Sequence, residues 1–595
     1  MLQRVALPSE ERDRFLPRLT VLAAVVALTW LAIFAVRMAG PFMITDSDQQ
    51  RPAAYTLDVI VNGNWTVQRD DTGDVASKPP LYTWVMALGV MALGGELTEL
   101  TLYLPGALSV LALALIVLFV TTHFSGRGAG LIAALAYLLA WTAFRQVYLA
   151  RTDALFSLTV FAAALLVWMA ATRQCSWFWF WVMAALATLT KGPLGLLLAL
   201  GGLVAFLWRK DLPELPEPSG LARYPLASHA AGFAVYTVLC GGWFLLAWLD
   251  AGQAFIDKVI GQELVGHAVE SSGGQRPFEG FWKQPLYFLS RFLPWSVVTY
   301  YALWRVFFRP AGDPRVRLFH RFMALYFLLG LTVFSVAPHQ RADHLLPLLP
   351  AGAILAGVEV AQWLDAQRLR TAFRYYPAVL AVVLIGVAAF LQFGYGNSRD
   401  ARQTAEARIA AEWIEENLGR NFPIIHTDGP FAPQFFLNTM YQRHSFEQTF
   451  KAAVLHEYPT YYLVRDSGEM WWWLLSSGTG NPHDRGLEWI ARLPDVAEPG
   501  FYIMGDHLET TPPREVVTLI DNVRVEMEAV RFMNARGHDM VFEALEDSSR
   551  VRVENLGGMP QQVRLELRRS SSVYTAEGTL QHGERLTVDI PDGER

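Results

Sequence analysis

The chain reads LTVLAAVVALTWLAIFAVRMAGPFMITDSDQQR from residue 19 to residue 51. Residues 19–38 are almost continuously apolar and match the roughly 20 residues that one helical bilayer crossing needs. Asp46 and Asp48 follow this span directly. Carboxylates are costly near a bilayer, so their presence there indicates a functional site rather than an ordinary solvated loop. The stretch predicts a membrane protein with a polar site beside its first span.

The composition agrees with a membrane protein that also has water-exposed parts. Of the 595 residues, 53% are hydrophobic and 17% are charged, and the mean hydropathy is +0.24. These values exclude an ordinary soluble protein and a chain embedded in lipid throughout. Cys175 and Cys240 are too few for a disulfide framework. Residues 1–18 are polar and precede a run without a cleavage site, so we expect no cleavable signal peptide.

Apolar runs of membrane length recur along the first 395 residues and predict a polytopic α-helical membrane protein. We count about eleven spans. The apolar stretch 81–95 is short and is interfacial, re-entrant or a further span, so the count rises to about thirteen at most. The runs are 19–38, 101–121, 128–149, 153–171, 177–190, 192–207, 229–249, 285–308, 319–337, 342–361 and 375–394.

Basic residues predict the orientation of these spans, because cytoplasmic loops carry an excess of lysine and arginine. With eleven spans, the basic connections all fall on the side of the N-terminus, which we therefore place in the cytoplasm as residues 1–18. Outer loops are then expected at 41–80 and 250–284, with everything after about residue 395 outside. The basic residues are Arg4, Arg12, Arg14, Arg18, Arg209, Lys210, Arg305, Arg309, Arg315, Arg317, Arg321, Arg368, Arg370 and Arg374.

The sequence changes character after the membrane region, predicted at 19–395. Residues 401–418 have the apolar spacing of an amphipathic helix, and short strand-like runs follow it. We predict an α/β domain at 396–510. Alternating apolar and polar residues then predict a β-rich, sandwich-like domain at 511–595.

Polar and charged residues gather at the ends of the spans that face the predicted outer side. Each one alone is typical of a solvated helix end or of a long side chain that reaches the interface. Together, carboxylates with lysine, arginine and histidine from separate helices favour a site for a phosphate-bearing substrate. They are Asp46, Asp48, Arg51, Lys78, Arg151, Asp153, Lys191, Glu263, His267, Arg276, Lys283, His339, Arg341, Asp343 and His344.

An ordered set of motifs over roughly residues 15–480 resembles the bacterial aminoarabinose (lipid A) transferase and protein O-mannosyltransferase group of glycosyltransferases. The resemblance implies the C-type glycosyltransferase fold. The β-rich tail lies outside it. The motifs are Asp48-Gln49-Gln50-Arg51, Asn62-Gly63-Asn64-Trp65, Lys78-Pro79-Pro80-Leu81, Arg151-Thr152-Asp153, Thr190-Lys191-Gly192-Pro193, Arg291-Phe292-Leu293-Pro294-Trp295-Ser296 and His344-Leu345-Leu346-Pro347.

Three positions depart from the group's usual pattern. Gln49 stands where an acidic residue is usual, Ser77 stands before Lys-Pro-Pro where Glu is frequent, and His267 stands where the aminoarabinose transferases have Arg. These departures leave open the sugar, the acceptor and any metal requirement. They bear less on the class of reaction.

The resemblance implies transfer of a sugar from a polyprenyl (undecaprenyl) phosphate donor to lipid A, another glycan or lipid, or a protein. Asp48 is expected to be the general base or a carboxylate that orients the acceptor, with Asp46 as the second choice. A base is needed only if the acceptor is a hydroxyl. Lys78, Lys191, Arg276 and Arg151 are expected to bind the donor phosphate. A further set of residues is expected to order these cations or to bind a divalent ion, which would be magnesium or manganese given oxygen-rich ligands. This set is Asp153, Glu263, His267 and His344.

Two other classes of function remain possible on the sequence alone. A lipid or polysaccharide transporter would explain charges at span ends, but the internal repeats frequent in transporters are not visible here. An envelope sensor or scaffold would explain the outer domain but not about eleven spans. The expected location is the bacterial inner membrane, with the C-terminal domains in the periplasm. The expected partners are the lipid-linked donor, the envelope acceptor and membrane lipids, with no nucleic acid.

Overall fold

A computed structural model describes residues 16–417 except 45–46, 71–72, 209–213, 215–216, 267–279 and 339. Beyond residue 417 it describes residue 584 and the helix and strands given below, with 438–439. The chain divides into two compact units. The first unit comprises Met1–Pro41, Ser77–Val85 and Leu102–Phe393, and the second comprises Phe42–Ala76, Met86–Thr101 and Gly394–Arg595.

Helices make up nearly all of the described part before residue 418. Several begin at a residue whose side chain accepts a backbone N–H: Ser176 from Phe178, Asp313 from Arg315 and Asp365 from Arg368. The α-helices are α1 (Leu19–Met38), α2 (Ser47–Asn62), α3 (Leu81–Ala92), α4 (Glu99–Ser125), α5 (Arg127–Leu138), α6 (Trp141–Gln146), α7 (Asp153–Ala171), α8 (Trp177–Lys191), α9 (Leu194–Leu200), α10 (Pro225–Tyr236), α11 (Gly242–Phe255), α12 (Lys283–Arg291), α13 (Trp295–Phe308), α14 (Pro314–Val336), α15 (Leu349–Trp363), α16 (Ala366–Ala389), α17 (Arg399–Asn417) and α18 (Ala432–Leu437).

Shorter 3₁₀ and π segments extend several of these helices. Gly252 has φ of 56° inside α11, a left-handed conformation that suits glycine, and it kinks that helix. The 3₁₀ segments are Gly201–Leu207, Gly220–Arg223, Ala342–Leu348 and Tyr395–Asn397, and the π segments are Thr237–Gly241, Ile256–Gly266 and Phe390–Gly394.

Seven helical runs in the described part of the chain are long and apolar enough to cross a membrane. The other four predicted spans are present as shorter or interrupted helices: 128–149 as α5 and α6, 177–190 as α8, 192–207 as α9 with a 3₁₀ extension, and 285–308 as α12 and α13. The seven runs are Leu19–Met38, Glu99–Ser125, Asp153–Ala171, Pro225–Gln262, Pro314–Val336, Ala342–Trp363 and Ala366–Gly394.

The stretch 81–95, which the sequence left open, forms the 12-residue helix α3. At 1.5 Å per residue this helix is about 18 Å long, shorter than the roughly 30 Å hydrocarbon core. It therefore does not cross a bilayer as a single straight helix.

Small residues allow close packing inside the first unit. Gly357 of α15 faces Ala133 of α5, and a Cβ atom added at Gly357 would lie 2.7 Å from the Ala133 backbone nitrogen. Ala129, Val358 and Ala361 form a buried apolar cluster along the same two helices. Backbones can approach this closely only where one side chain is absent.

The second unit contains a mixed five-stranded sheet with the order β2-β1-β3-β5-β4. Strand β1 pairs parallel with β2 and β3, whereas β5 pairs antiparallel with β3 and β4. Parallel strands need a crossover connection between them, and α18 lies between β1 and β2 in the chain. The strands are β1 (Ile424–Thr427), β2 (Gln442–His444), β3 (Tyr461–Arg465), β4 (Glu488–Arg492) and β5 (Phe501–Gly505).

Antiparallel strands make two further sheets after residue 514. One has the order β11-β10-β7-β6 and the other has the order β12-β9-β8. The domain boundaries predicted at residues 395 and 510 stay predictions. The strands are β6 (Glu515–Ile520), β7 (Val523–Met527), β8 (Met540–Ala544), β9 (Arg550–Asn555), β10 (Gln561–Arg569), β11 (Ser572–Leu580) and β12 (Arg585–Asp589).

Candidate functional site

An ion pair joins the ends of two consecutive helices in the first unit. Asp153 is the first residue of α7 and Lys191 is the last residue of α8. The helices pack side by side, and Lys191 Nζ lies 2.5 Å from Asp153 Oδ1. Each charge suits its helix end, because a carboxylate is stabilised at an N-terminus and an ammonium group at a C-terminus. Asp153 thus orders one of the two lysines predicted to bind phosphate.

A second carboxylate in the same unit receives two arginines. Arg151 Nη1 lies 3.2 Å from Asp343 Oδ2, and Arg145 Nη1 lies 4.0 Å from Asp343 Oδ1. Arg151 is 8% exposed and lies two residues before the start of α7, whereas Asp343 lies in the 3₁₀ segment that leads into α15. The half-buried His344 follows, with its ring centroid 5.9 Å from that of Phe334.

These five ionised side chains do not balance in charge. Arg145, Arg151 and Lys191 carry three positive charges, and Asp153 and Asp343 carry two negative charges. Asp153 also interacts electrostatically with Arg151 and His344, so the two ion-paired groups form one cluster, and its five ionised members sum to one net positive charge. Positive charge in a partly buried setting favours an anionic ligand such as a phosphate group.

Asp48 lies in the first turn of α2, in the second unit, and is half-buried. A carboxylate in the first helical turn is stabilised in its ionised form by the helix N-terminus. The next residue, Gln49, is buried and donates a long hydrogen bond of 3.5 Å from Nε2 to the Met43 carbonyl. Arg51 is exposed. Asp46, the second choice as base, lies outside the described residues.

A carboxylate that the sequence analysis did not single out lies one turn before the end of α2. Asp58 is fully buried and accepts hydrogen bonds from Asn62 Nδ2 at 2.8 Å, Asn64 Nδ2 at 3.0 Å and the Arg69 backbone N–H at 2.7 Å. Burial raises the pKa of Asp58 to about 6, and the hydrogen bonds only partly offset that rise. Asp58 therefore holds the Asn62-Gly63-Asn64 motif against the chain that follows it.

A short hairpin-like turn continues from this motif toward Lys78. Arg69 and Val75 form an isolated antiparallel bridge, and the Ala76 N–H donates to the Gln68 carbonyl at 2.8 Å. Lys78, two residues further on, is half-buried.

The sequence contained a pattern that could have indicated Asp58. A carboxylate four residues before an Asn-Gly-Asn motif can accept hydrogen bonds from the asparagine side chains of that motif.

Several predicted site residues are not described in full. His267 and Arg276 lie outside the described residues, and Glu263 lies in the π segment Ile256–Gly266 without a described side chain.

Arg145 was not predicted as a site residue because it lies inside the apolar run 128–149, which the sequence pattern predicts to be one span. The helix breaks after Leu138, and the short α6 carries Arg145 to Asp343.

The divalent cation that the sequence suggested depends in part on residues that the structure does not describe. Over the described parts of both units, no group of three or more His, Cys, Asp or Glu side chains is arranged to hold a metal ion. Asp153 and Asp343 are each paired with cationic side chains. Because Asp46 and His267 lie outside the described residues, a divalent cation stays a prediction.

Known proteins resemble this chain in sequence. A family model described as dolichyl-phosphate-mannose-protein mannosyltransferase matches residues 77–216. The undecaprenyl phosphate-alpha-4-amino-4-deoxy-L-arabinose arabinosyl transferase 1 of Pseudomonas fluorescens (strain Pf0-1) is 25% identical over 383 residues, which are 62% of this chain and 64% of that enzyme. An uncharacterized protein of Aquifex aeolicus (strain VF5) is 24% identical over 355 residues, covering 59% of this chain and 75% of that protein.

Solved structures resemble it in fold. ArnT from Cupriavidus metallidurans in the apo state matches with a TM-score of 0.60 at 18% identity, over 83% of this chain and 99% of that chain. The chain has the C-type glycosyltransferase fold. ArnT bound to undecaprenyl phosphate matches over the same shares with a TM-score of 0.59. The predicted fold class and the resemblance to the aminoarabinose transferase and protein mannosyltransferase group are confirmed.

Proposed function

We propose that this chain is a membrane glycosyltransferase that moves a sugar from an undecaprenyl phosphate donor to an envelope acceptor at the outer face of the inner membrane. The observation that carries the proposal is the partly buried cluster with one net positive charge, formed by Arg145, Arg151, Lys191, Asp153 and Asp343. It occurs in a chain whose fold matches ArnT, which has been solved bound to undecaprenyl phosphate. No observation of comparable weight supports the alternative function as a transporter.

The charges suggest how the donor would be held. The phosphodiester carries one negative charge, which the positive surplus of the cluster would attract. Lys191 and Arg151 would bind its oxygens, with Lys78 and Arg276 as further predicted contacts. Asp153 and Asp343 would keep Lys191 and Arg151 in place, because ion pairing restricts long side chains. Glu263, His267 and His344 stay predicted supporting residues.

The reaction needs one bond broken and one bond formed. The bond between the anomeric carbon and the phosphate oxygen breaks, and the phosphate leaves with the electron pair. An acceptor hydroxyl oxygen bonds to the anomeric carbon, and its proton passes to the carboxylate of Asp48. Stabilising the charge that develops on the phosphate is the larger contribution. The base contributes about 100- to 10,000-fold.

Asp48→Asn tests this assignment directly. Wild type and variant are reconstituted in proteoliposomes with a panel of undecaprenyl phosphate sugars and envelope extract, and loss of sugar from the donor is followed. We expect turnover by wild type and a fall of at least about 100-fold in the variant. Glu412→Gln is the control, because Glu412 is an exposed carboxylate on α17 of the same unit.

The possible results separate the alternatives. No turnover of any donor by folded wild-type protein would overturn the glycosyltransferase proposal and favour transport. Turnover that is unchanged in Asp48→Asn would keep the enzyme class and exclude Asp48 as the base. Mass spectrometry of the product then identifies the acceptor as lipid A, another glycan or a protein.

A further inference from the structure

The three residues that lead from the first span to the candidate carboxylates are buried. Phe42, Met43 and Ile44 are 8%, 8% and 0% exposed. We call residues 42–44 the lead-in segment. It ends four residues before Asp48, and α2 begins at Ser47. The position of the lead-in segment therefore limits where the first turn of α2, and with it Asp48, can lie.

One backbone hydrogen bond ties this segment to the C-terminal part of the second unit. The Ile44 N–H donates to Thr404 Oγ1 at 3.1 Å. Thr404 lies on α17 and is 2% exposed. Its own hydroxyl hydrogen is used inside the helix, where it donates to the Asp400 carbonyl at 2.9 Å. The oxygen is therefore oriented to act as the acceptor for Ile44.

Aromatic contacts hold the same segment from α18. The Phe42 ring centroid lies 5.1 Å from that of Phe435 and 5.9 Å from that of Phe436. Met43 contributes a weaker contact, with Sδ at 3.7 Å from Ser398 Oγ. All three lead-in residues thus contact the part of the chain between 398 and 436.

The Ile44–Thr404 bond differs from the other contacts in what its loss would cost. Aromatic packing tolerates small shifts, but a buried N–H without an acceptor costs the full desolvation penalty of that group. A loop that loses this acceptor is expected to move until Ile44 N–H reaches another one. A displacement of about 1 Å at reacting groups lowers catalysis by about 100-fold.

We propose that Thr404 is a positioning residue for the reaction, and that α17 sets the place of Asp48 through the lead-in segment. This proposal rests on the proposed function. It gives α17 a role in the reaction, because this helix holds the lead-in segment that precedes Asp48. Thr404 itself does not contact the substrate.

Thr404→Val tests the proposal, because valine keeps the shape of threonine and removes the acceptor. Thr404→Ser keeps the hydroxyl. Thr159→Val is the matched control, since Thr159 is also buried and bonds only to carbonyls of its own helix, Leu155 and Phe156. Three quantities are measured: kcat for sugar transfer, the Kd for undecaprenyl phosphate, and hydrogen exchange of the peptide that contains residues 42–50.

We expect Thr404→Val to lower kcat about tenfold or more. Its Kd for undecaprenyl phosphate is expected to stay near that of wild type, and the 42–50 peptide is expected to exchange faster. Thr404→Ser should restore both kcat and slow exchange, and Thr159→Val should match wild type. This pattern supports a positioning role.

Other combinations of results would contradict the proposed positioning role of Thr404. A wild-type kcat in Thr404→Val would overturn the positioning role and leave the proposed function intact. Equal losses of kcat, donor binding and thermal stability, without recovery in Thr404→Ser, would show a merely structural role. No turnover by folded wild-type protein would overturn the proposed function and this proposal with it.

Discussion

At the scale of single residues, the charges at the ends of α7 and α8 have two separable roles. Lys191 neutralises Asp153, with side-chain exposures of 24% and 14%, and it also contributes to the positive surplus of the cluster. Removing one partner of such a pair leaves the other charge without compensation in a partly buried place. Stability and donor binding should therefore respond differently to single and double substitution.

Lys191→Met is expected to destabilise the protein by about 1–3 kcal/mol and to weaken donor binding, because Asp153 is left unpaired and one phosphate contact is lost. Adding Asp153→Asn should recover most of the thermal stability but not the affinity. Thermal unfolding in detergent and binding of undecaprenyl phosphate are the measurements.

The exposed pair Arg368–Asp365, with side-chain exposures of 60% and 49%, supplies the control for Lys191→Met. Arg368→Met should change stability by less than about 1 kcal/mol. If Lys191→Met with Asp153→Asn regained wild-type affinity, Lys191 would act only by neutralising Asp153, and its predicted phosphate contact would be wrong.

Asp58 is expected to make stability depend on pH. Its pKa in the folded protein is about 6, above the ordinary value of 3.8, so the folded state binds the proton more tightly than the unfolded state. The stabilising contribution is complete below about pH 3.8 and is lost as the pH rises through about 6. Its full size is about 3 kcal/mol.

Comparison with Asp58→Asn isolates this contribution. The thermal stability of wild type, measured relative to that variant, should fall between pH 4.5 and pH 7.5, because asparagine does not titrate. A difference between wild type and variant that stays constant over this range would show that Asp58 has an ordinary pKa.

At the scale of secondary-structure elements, the contact of α5 with α15 depends on the lack of a side chain. A Cβ added at Gly357 would lie 2.6 Å from Ala133 Cβ and 2.8 Å from Ala133 Cα. Backbone atoms cannot move aside as a flexible side chain can. Gly386 of α16 offers the opposite case, with nothing within 4 Å of an added Cβ.

Gly357→Ala should lower the free energy of unfolding by about 1–3 kcal/mol, since the two helices must separate to admit the methyl group. Gly386→Ala should leave it unchanged or raise it by up to about 1 kcal/mol, because alanine favours a helix more than glycine does. Thermal unfolding of both variants makes the comparison, and equal transition temperatures would contradict the tight contact.

The sequence predicted where helices lie better than where they break. Every apolar run from 19–38 to 375–394 contains helix, since burial in lipid or core requires paired backbone groups. The break between α5 and α6 was not predicted, because the residues around it are as apolar as their neighbours. The break places Arg145 next to Asp343. Arg145 was therefore not predicted as a site residue for the same reason that the end of α5 was not predicted.

At the scale of the whole molecule, the structure supports a multi-pass membrane protein, and its orientation stays a prediction from the basic loops. The N-terminus is expected in the cytoplasm and the chain after residue 395 outside. Gly312 lies in a short exposed connection of the predicted cytoplasmic side, and Glu412 is exposed on α17.

Cysteine labelling tests this orientation. In a background with Cys175→Ser and Cys240→Ser, a membrane-impermeant maleimide applied to spheroplasts should label Glu412→Cys and spare Gly312→Cys. Permeabilised cells should show labelling at both positions. The reverse pattern on intact spheroplasts would invert the predicted topology.

The order of the spans along the chain was enough to predict that Asp153 and Lys191 lie close together. Asp153 opens one span and Lys191 closes the next, so an antiparallel pair of helices must bring them to the same side. Asp58 was missed because its partners Asn62 and Asn64 belong to a motif that reads as a turn. Its burial depends on the surrounding fold, which a single sequence does not show.

The surplus of one positive charge has a consequence for the rate at which the enzyme can be reused. A phosphate joined to the sugar carries one negative charge, whereas a freed lipid phosphate carries between one and two near neutral pH, because its second pKa is about 6. The cluster should therefore hold the spent carrier lipid more firmly than the donor. We expect competitive inhibition by undecaprenyl phosphate that strengthens as the pH rises, so that departure of the carrier limits the cycle.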